Sequence, residues 1–212
     1  MRVTFGQVFE DGVRSINTAA AQLAEAQRRV SSGRRLSAPS DDPAGTAAAV
    51  GARSSLAAVD AYRRATDAAS SRLLVADTAL SDVIDQLIAA KVTAVNGLGS
   101  GRTPAQRDAL STEILGIRDA VLADMNTRLG STYLFSGAAG PQAPFAVLSG
   151  GGVSAYQGDT DVQLLDIEEG RQVQITFDGG AIMQGTDSTH LFDELTALAT
   201  AVQTGDGVGI EA

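Results

Sequence analysis

"SRLLVADTALSDVIDQLIAAKVTAV", Ser71 to Val95, places Leu73, Ala76, Leu80, Val83, Leu87, Ala90 and Ala94 at alternating steps of three and four. That spacing holds all seven side chains on one stripe of an α-helix, the signature of a heptad seam. The rhythm continues upstream through Ala69, Thr66, Tyr62, Val59, Ser55 and Ala52, so one helix is predicted from Pro43 to Asn96. At 1.5 Å per residue it is roughly 80 Å long, more than a compact globule of this size accommodates, and a rod is expected. Downstream, "NGLGSGRTP" ends the helix with three glycines, and Thr103 with Pro104 supplies an N-cap and a first helical position. Leu110, Ile114, Ile117 and Val121 then keep the four-three spacing, and Met125 and Leu129 carry the stripe to Gly130.

Working back towards the start, Phe9, Val13, Ile16, Ala20, Leu23, Gln27 and Val30 form another heptad seam, interrupted only by Gln27. Its small side chains bury little area, so the isolated chain is expected to be monomeric or weakly associating, with the residues before Val30 poorly ordered. The link between the two helices, "VSSGRRLSAPSDDPAGTAAAV" from Val30 to Val50, concentrates polar residues and prolines. Each has a backbone task. Gly33 suits the end of the first helix, with Arg34 and Arg35 near its negative pole. Asp41 and Asp42 face the unpaired N–H groups of the next helix, and Pro43 is preorganised for its first position. Capping accounts for the aspartate pair without acid–base chemistry.

After Gly130 the texture changes. "YLFSGAAGPQAPF" brings aromatics, Gly and Pro, and "VSAYQGDTDVQLLDIEEGRQVQITFDGG" reads as short strands between Gly and Asp turns. Gln172 to Phe177, with Val173, Ile175 and Phe177 on one face, is the clearest strand. Leu191, Leu195, Leu198 and Val202 define a short amphipathic helix, and "TGDGVGIEA" has the texture of a loop.

The chain has 212 residues, no cysteine, no tryptophan and a net charge of -9. Folded protein fits the 44% hydrophobic content, but much of that content is alanine, which suits thin helix contacts better than a thick aromatic core. The acidic balance argues against binding nucleic acid or an anionic membrane through a general field. Without cysteine there is no disulfide, thiolate nucleophile or Cys-ligated metal. Neither a cleavable signal nor a membrane span is read in the sequence.

Catalytic constellations are not found. His190 is the only histidine, so a multi-histidine metal site has no basis, and its place in "GTDSTHLFDEL" at a helix start suggests a capping or surface role. "SGGG" at 149–152 and "FDGG" at 177–180 lack the Lys-Ser/Thr of a phosphate loop and read as turns between strands. Asp159, Asp161 and Gln163 imitate the first ligands of a calcium loop, but its glycine and distal glutamate are missing, leaving a hairpin turn as the expectation. No catalytic residue, cofactor or metal is assigned, and the chain is not expected to be an enzyme.

The turn "SSGRRLSAPSDDPAG" between heptad helices, the N-terminal "MRVT" and the passage "MNTRLGSTYLFSG…PF…YQGD" together resemble the flagellin superfamily. "YLFSG", Pro144-Phe145 and "YQGD" favour its hook-filament junction branch over flagellin proper. The resemblance covers essentially the whole chain and is strongest over residues 1–160. It implies a structural, extracellular flagellar subunit, exported without a cleaved signal through the flagellar export apparatus with an export chaperone, and self-associating in a ring. Implied neighbours are hook-associated protein 1 and flagellin. Members of the branch close with a C-terminal heptad helix, whereas this sequence stops at Ala212, so a fragment or a divergent short member is expected. A short flagellin forming the filament itself is the alternative. An enzyme carried on a stalk and a cytosolic coiled-coil adaptor fit less well.

The expected fold is therefore mainly α with a small β domain: an elongated heptad bundle or coiled-coil rod plus an outward β-rich part. Its parts are residues 1–42 (first helix and reversal turn), 43–132 (long helix and third helix), 133–186 (β-rich outer domain) and 187–212 (short return helix and tail). Val13, Ile16, Leu23, Val30, Val59, Leu73, Leu80 and Leu87 are the expected assembly seam. Gly33, Arg34, Arg35, Asp41, Asp42 and Pro43 are the expected turn and candidate subunit contacts.

Overall fold

The computed structural model describes residues 5–33, 42–99, 101–185 and 189–211. It divides into two compact units, Met1–Asp60 and Ala61–Ala212.

In the first unit, helix α1 runs Phe5–Ser32 and helix α2 begins at Pro43. Local interactions hold α1: Arg14 pairs with Glu10 and Asp11, and Glu25 with Arg28 and Arg29, all one helical turn apart. Gly33 follows with φ +64°, the left-handed conformation that terminates a helix at little cost only for glycine. At the start of α2 the Asp42 carboxylate accepts the Gly45 N–H at 2.8 Å and its carbonyl accepts the Thr46 N–H. Asp42 is thus the N-cap and Pro43 the first helical residue, as their chemistry requires.

The second unit holds the rest of α2, which ends at Gly97, with α3 (Pro104–Met125), hairpins β1–β2 (Arg128–Leu129, Thr132–Tyr133) and β3–β4 (Leu164–Glu168, Arg171–Gln174), and α4 (Gly179–Gln184), α5 (Leu191–Thr204) and α6 (Gly207–Glu211). Both hairpins are antiparallel two-stranded sheets. Thr103 opens α3 with a reciprocal capping box: its hydroxyl accepts the Gln106 N–H, and the Gln106 side chain accepts the Thr103 N–H. Ala76, Val83 and Ala90 of α2 meet Val121, Leu122 and Met125 of α3 and Phe192 and Leu195 of α5 in one core. A smaller cluster joins Ala94, Ile114, Ala199 and Val202.

Several expectations are corrected. Helix α3 stops at Met125 rather than carrying its stripe to Leu129, because the Asn126 side chain clasps the Phe145 backbone, donating to its carbonyl at 2.9 Å and accepting its N–H at 3.2 Å. Leu129 becomes part of β1. The strand within Gln172–Phe177 is shorter, Arg171–Gln174; the Ile175 N–H still donates to Gln163, the next position in the same hairpin register, and only at Phe177 does the backbone turn to another segment, its N–H donating to Leu134. Phe177–Gly180 is not a turn between strands: Asp178 caps α4 by accepting the Ala181 N–H. His190 stands at the N-cap of α5, but its side chain makes no cap bond, and its buried Nδ1 has no partner among the described residues. The tail forms α6, with Asp206 accepting the Val208 N–H.

Candidate assembly surface

On α2 the heptad positions from Ala69 to Ala94 are where the core meets the helix. Ala76 is 2% exposed and Ala90 1%, Ala69, Val83 and Ala94 are equally deep, and Leu73, Leu80 and Leu87 are half-buried. The sequence reading singled out the leucines, yet the alanines at alternate seam positions sit deepest. Small size was the available signal, because a side chain that ends at Cβ lies beneath the longer ones beside it on a packed face.

The same rhythm nearer the N-terminus has no cover. Val13 is exposed, Ile16 is 70% exposed and Val30 84%, and Leu23 and Val59 are also open. Single exposed apolar residues are ordinary, but a run at heptad spacing forms a continuous stripe. Of the turn residues, Gly33, Asp42 and Pro43 lie where their caps require; Arg34, Arg35 and Asp41 lie outside the described residues.

Sequence reasoning missed how the motifs after Gly130 lock together. The Tyr156 hydroxyl donates towards the carbonyls of Phe135 at 3.1 Å and Asp159 at 3.0 Å, tying "YQGD" to "YLFSG". Gly137 has φ +59°, and a Cβ there would overlap the Asp159 carbonyl, so only glycine permits this crossing. Phe145 fills the centre, its ring 5.5 Å from Tyr156 and 5.0 Å edge-on from Phe192 of α5. Burial raises the Tyr156 pKa to about 12, with Asp178 and Asp159 adding to the rise and a backbone hydrogen bond opposing it. The phenol therefore keeps its donor proton throughout the neutral range. These residues serve architecture.

Polar links fasten α2 to α3. Gln86 donates to the Asp124 carboxylate at 2.7 Å, and Thr93 to Glu113 at 3.3 Å. Burial pushes the Asp124 carboxyl above its ordinary range, the Gln86 bond opposes that and nearby Asp82 adds to it. Arg118, buried on α3, donates to Asp119 and to Thr196 of α5. Between α2 and β3–β4 runs an apolar groove of about 610 Å³, lined by Ala69, Leu73, Leu80, Ile167, Val173 and Phe177. Among the described residues no group of three or more His, Cys, Asp or Glu side chains is placed to hold a metal, and no helix is long and apolar enough to cross a membrane.

Long helices with open heptad stripes, and a small β-containing region locked by aromatic and glycine contacts, define a class of helical structural subunit. Within that class the chain belongs to the family of the bacterial flagellin N-terminal helical region, whose model matches residues 11–139. It is 25% identical over 189 residues to flagellar hook-associated protein 3 of Salmonella typhimurium, covering 89% of this chain and 58% of that protein. With the protein of the same name from Escherichia coli it is 26% identical over 206 residues, covering 97% and 61%. The chain thus spans about three-fifths of these relatives. The crystal structure of FlgL from Bacillus cereus shares the fold, with TM-score 0.63, 20% identity and 78% of each chain covered. FlgL from Xanthomonas campestris matches with TM-score 0.56 and 27% identity over 62% of this chain and 42% of that one.

Proposed function

We propose that this chain is a structural, non-enzymatic subunit of the bacterial flagellum. It joins the hook, through hook-associated protein 1, to the flagellin filament, and assembles by coiled-coil polymerisation after export. The observation that carries this reading is the open heptad stripe of α1 and the start of α2: a subunit whose apolar seam is exposed is built to be completed by neighbours. The similarity to hook-associated protein 3 of two organisms supports the junction role over that of a filament flagellin.

In this reading residues 1–42 and 43–132 supply assembly helices, 133–186 the outward part, and 187–212 a return helix. Val13, Ile16, Leu23, Val30 and Val59 form the subunit contacts, while Leu73, Leu80 and Leu87 flank the core. The caps around Gly33, Asp42 and Pro43, with Arg34, Arg35 and Asp41, set the turn and touch neighbouring subunits. Function is extracellular, following export with a chaperone and without a cleaved signal.

Deletion tests the proposal. Loss of the protein should release unpolymerised flagellin into the medium, and sheared appendages from the parent strain should contain only a few copies per flagellum. A deletion that leaves hooks and no flagellin in the medium, with the protein abundant along parental filaments, would instead establish the short flagellin.

A further inference from the structure

The polar link between α2 and α3 at Gln86 is only half made. The Gln86 amide turns its Nε2 donor to the Asp124 carboxylate at 2.7 Å, and its Oε1 is left buried with no hydrogen-bond partner among the described residues. An ionised carboxylate only accepts, so it satisfies the amide nitrogen and never the amide oxygen. A neutral carboxyl group can satisfy both. One of its oxygens accepts from Nε2 while the hydroxyl on the other donates to Oε1, closing a ring of two hydrogen bonds.

We propose that Gln86 and Asp124 form an acid-strengthened clasp across the α2–α3 contact: on taking up a proton, the Asp124 carboxyl makes a second hydrogen bond, to Gln86 Oε1, and the pair closes. A bond to a carboxylate is roughly twice as strong as a neutral one, so the two neutral bonds of the closed pair match the single one they replace. The stranded oxygen then decides the balance. A buried acceptor left unpaired costs as much as a hydrogen bond or more, and only the ionised state bears that cost. Burial and the Asp82 carboxylate of α2 also favour the neutral form of Asp124. Gln86 counted as a donor alone opposes them; counted with the oxygen it strands, it joins them. Among the described residues no cation acts on Asp124. Two nearby arginines are engaged elsewhere, Arg118 with Asp119 and Thr196, and Arg128 over the Tyr133 ring at 4.9 Å. Val83 and Ala90 on α2, and Val121, Leu122 and Met125 on α3, belong to the main core, so the clasp bears on the contact that holds the second unit together. The stability it adds is complete below the carboxyl's unfolded pKa and is lost as pH rises through the higher folded one. This inference rests on neither the assembly nor the junction role.

The full-length chain serves for the test. Carbon-13 NMR follows the Asp124 carboxyl and the Gln86 side-chain carbonyl through an acid titration. The Gln86 carbonyl should move downfield, as an amide oxygen's carbon does when it accepts a hydrogen bond, with the same midpoint as Asp124. In Asp124→Asn it should hold still. A Gln86 carbonyl that does not move at the Asp124 midpoint overturns the proposal. Stability gives a second readout, through Gln86→Met, which keeps the length of the side chain and removes the amide. The ratio of the unfolding constants of Gln86→Met and the parent should grow at least about threefold as pH falls through that midpoint. A ratio that stays level or shrinks on acidification means that Gln86 serves only as a donor to the ionised carboxylate, and it overturns the proposal as well.

Discussion

Residues 69–94 carry a heptad seam, and so do residues 9–30 and 52–59; the structure puts the first stretch and the second group in opposite surroundings. In the first stretch the seam is closed by α3 and α5, and its smallest side chains are the most buried. In the second, the larger apolar residues Ile16, Leu23, Val30 and Val59 face outward. Spacing alone therefore specifies which face of a helix is apolar; whether that face makes the fold or an interface depends on what else the chain supplies. Here the residues after Gly130 supply it, because Phe145 and the return helix α5 complete the core over one stretch of α2.

The sharpest way to break this comparison is to remove what closes the covered seam. Phe145→Ala should destabilise the second unit by about 3–5 kcal/mol, the usual cost of truncating a buried aromatic, measured by denaturant unfolding. The α1 helix, held by ion pairs within its own turns, should keep them. Next comes the contrast between filling the two halves of one seam. Ala90→Leu overpacks the closed half and should cost about 1–3 kcal/mol, whereas Ser55→Leu in the open half should change stability by less than about 0.5 kcal/mol. Similar losses from both would erase the distinction.

A smaller effect concerns Asp124 on the α2–α3 face. Its pKa is raised in the folded state, so the native protein holds that proton more tightly than the unfolded chain does. Stability from this group is full below the unfolded carboxylate pKa and falls as pH rises through the folded value. Asp124→Asn keeps an acceptor for Gln86 and should be more stable than the parent at neutral pH, with the difference shrinking on acidification below the carboxylate range. Unfolding curves at the two pH values check the sign.

Much of the helical framework was legible because its signals are local. Period, caps and breakers gave α1, α2 and the start of α3, and Thr103, Asp42 and Gly33 act where their chemistry places them. The end of α3 was not legible, since it depends on Asn126 reaching Phe145 nineteen positions away. Nor was the route of Phe177, whose N–H finds its partner at Leu134 in a distant segment. The candidate surface divided the same way: the seam was visible as a pattern, but which half is closed follows from three-dimensional packing that no window of sequence contains.

Hydrogen exchange tests the central division most directly. In dilute solution, below the concentration at which copies associate, amides over 69–97 should exchange slowly, near the global unfolding limit. Those over 5–59 should exchange within a small factor of an isolated helix, because helices without tertiary packing are marginal. On assembly the second group should gain protection while the first changes little. Strong protection over 5–59 in the dilute monomer would contradict the account.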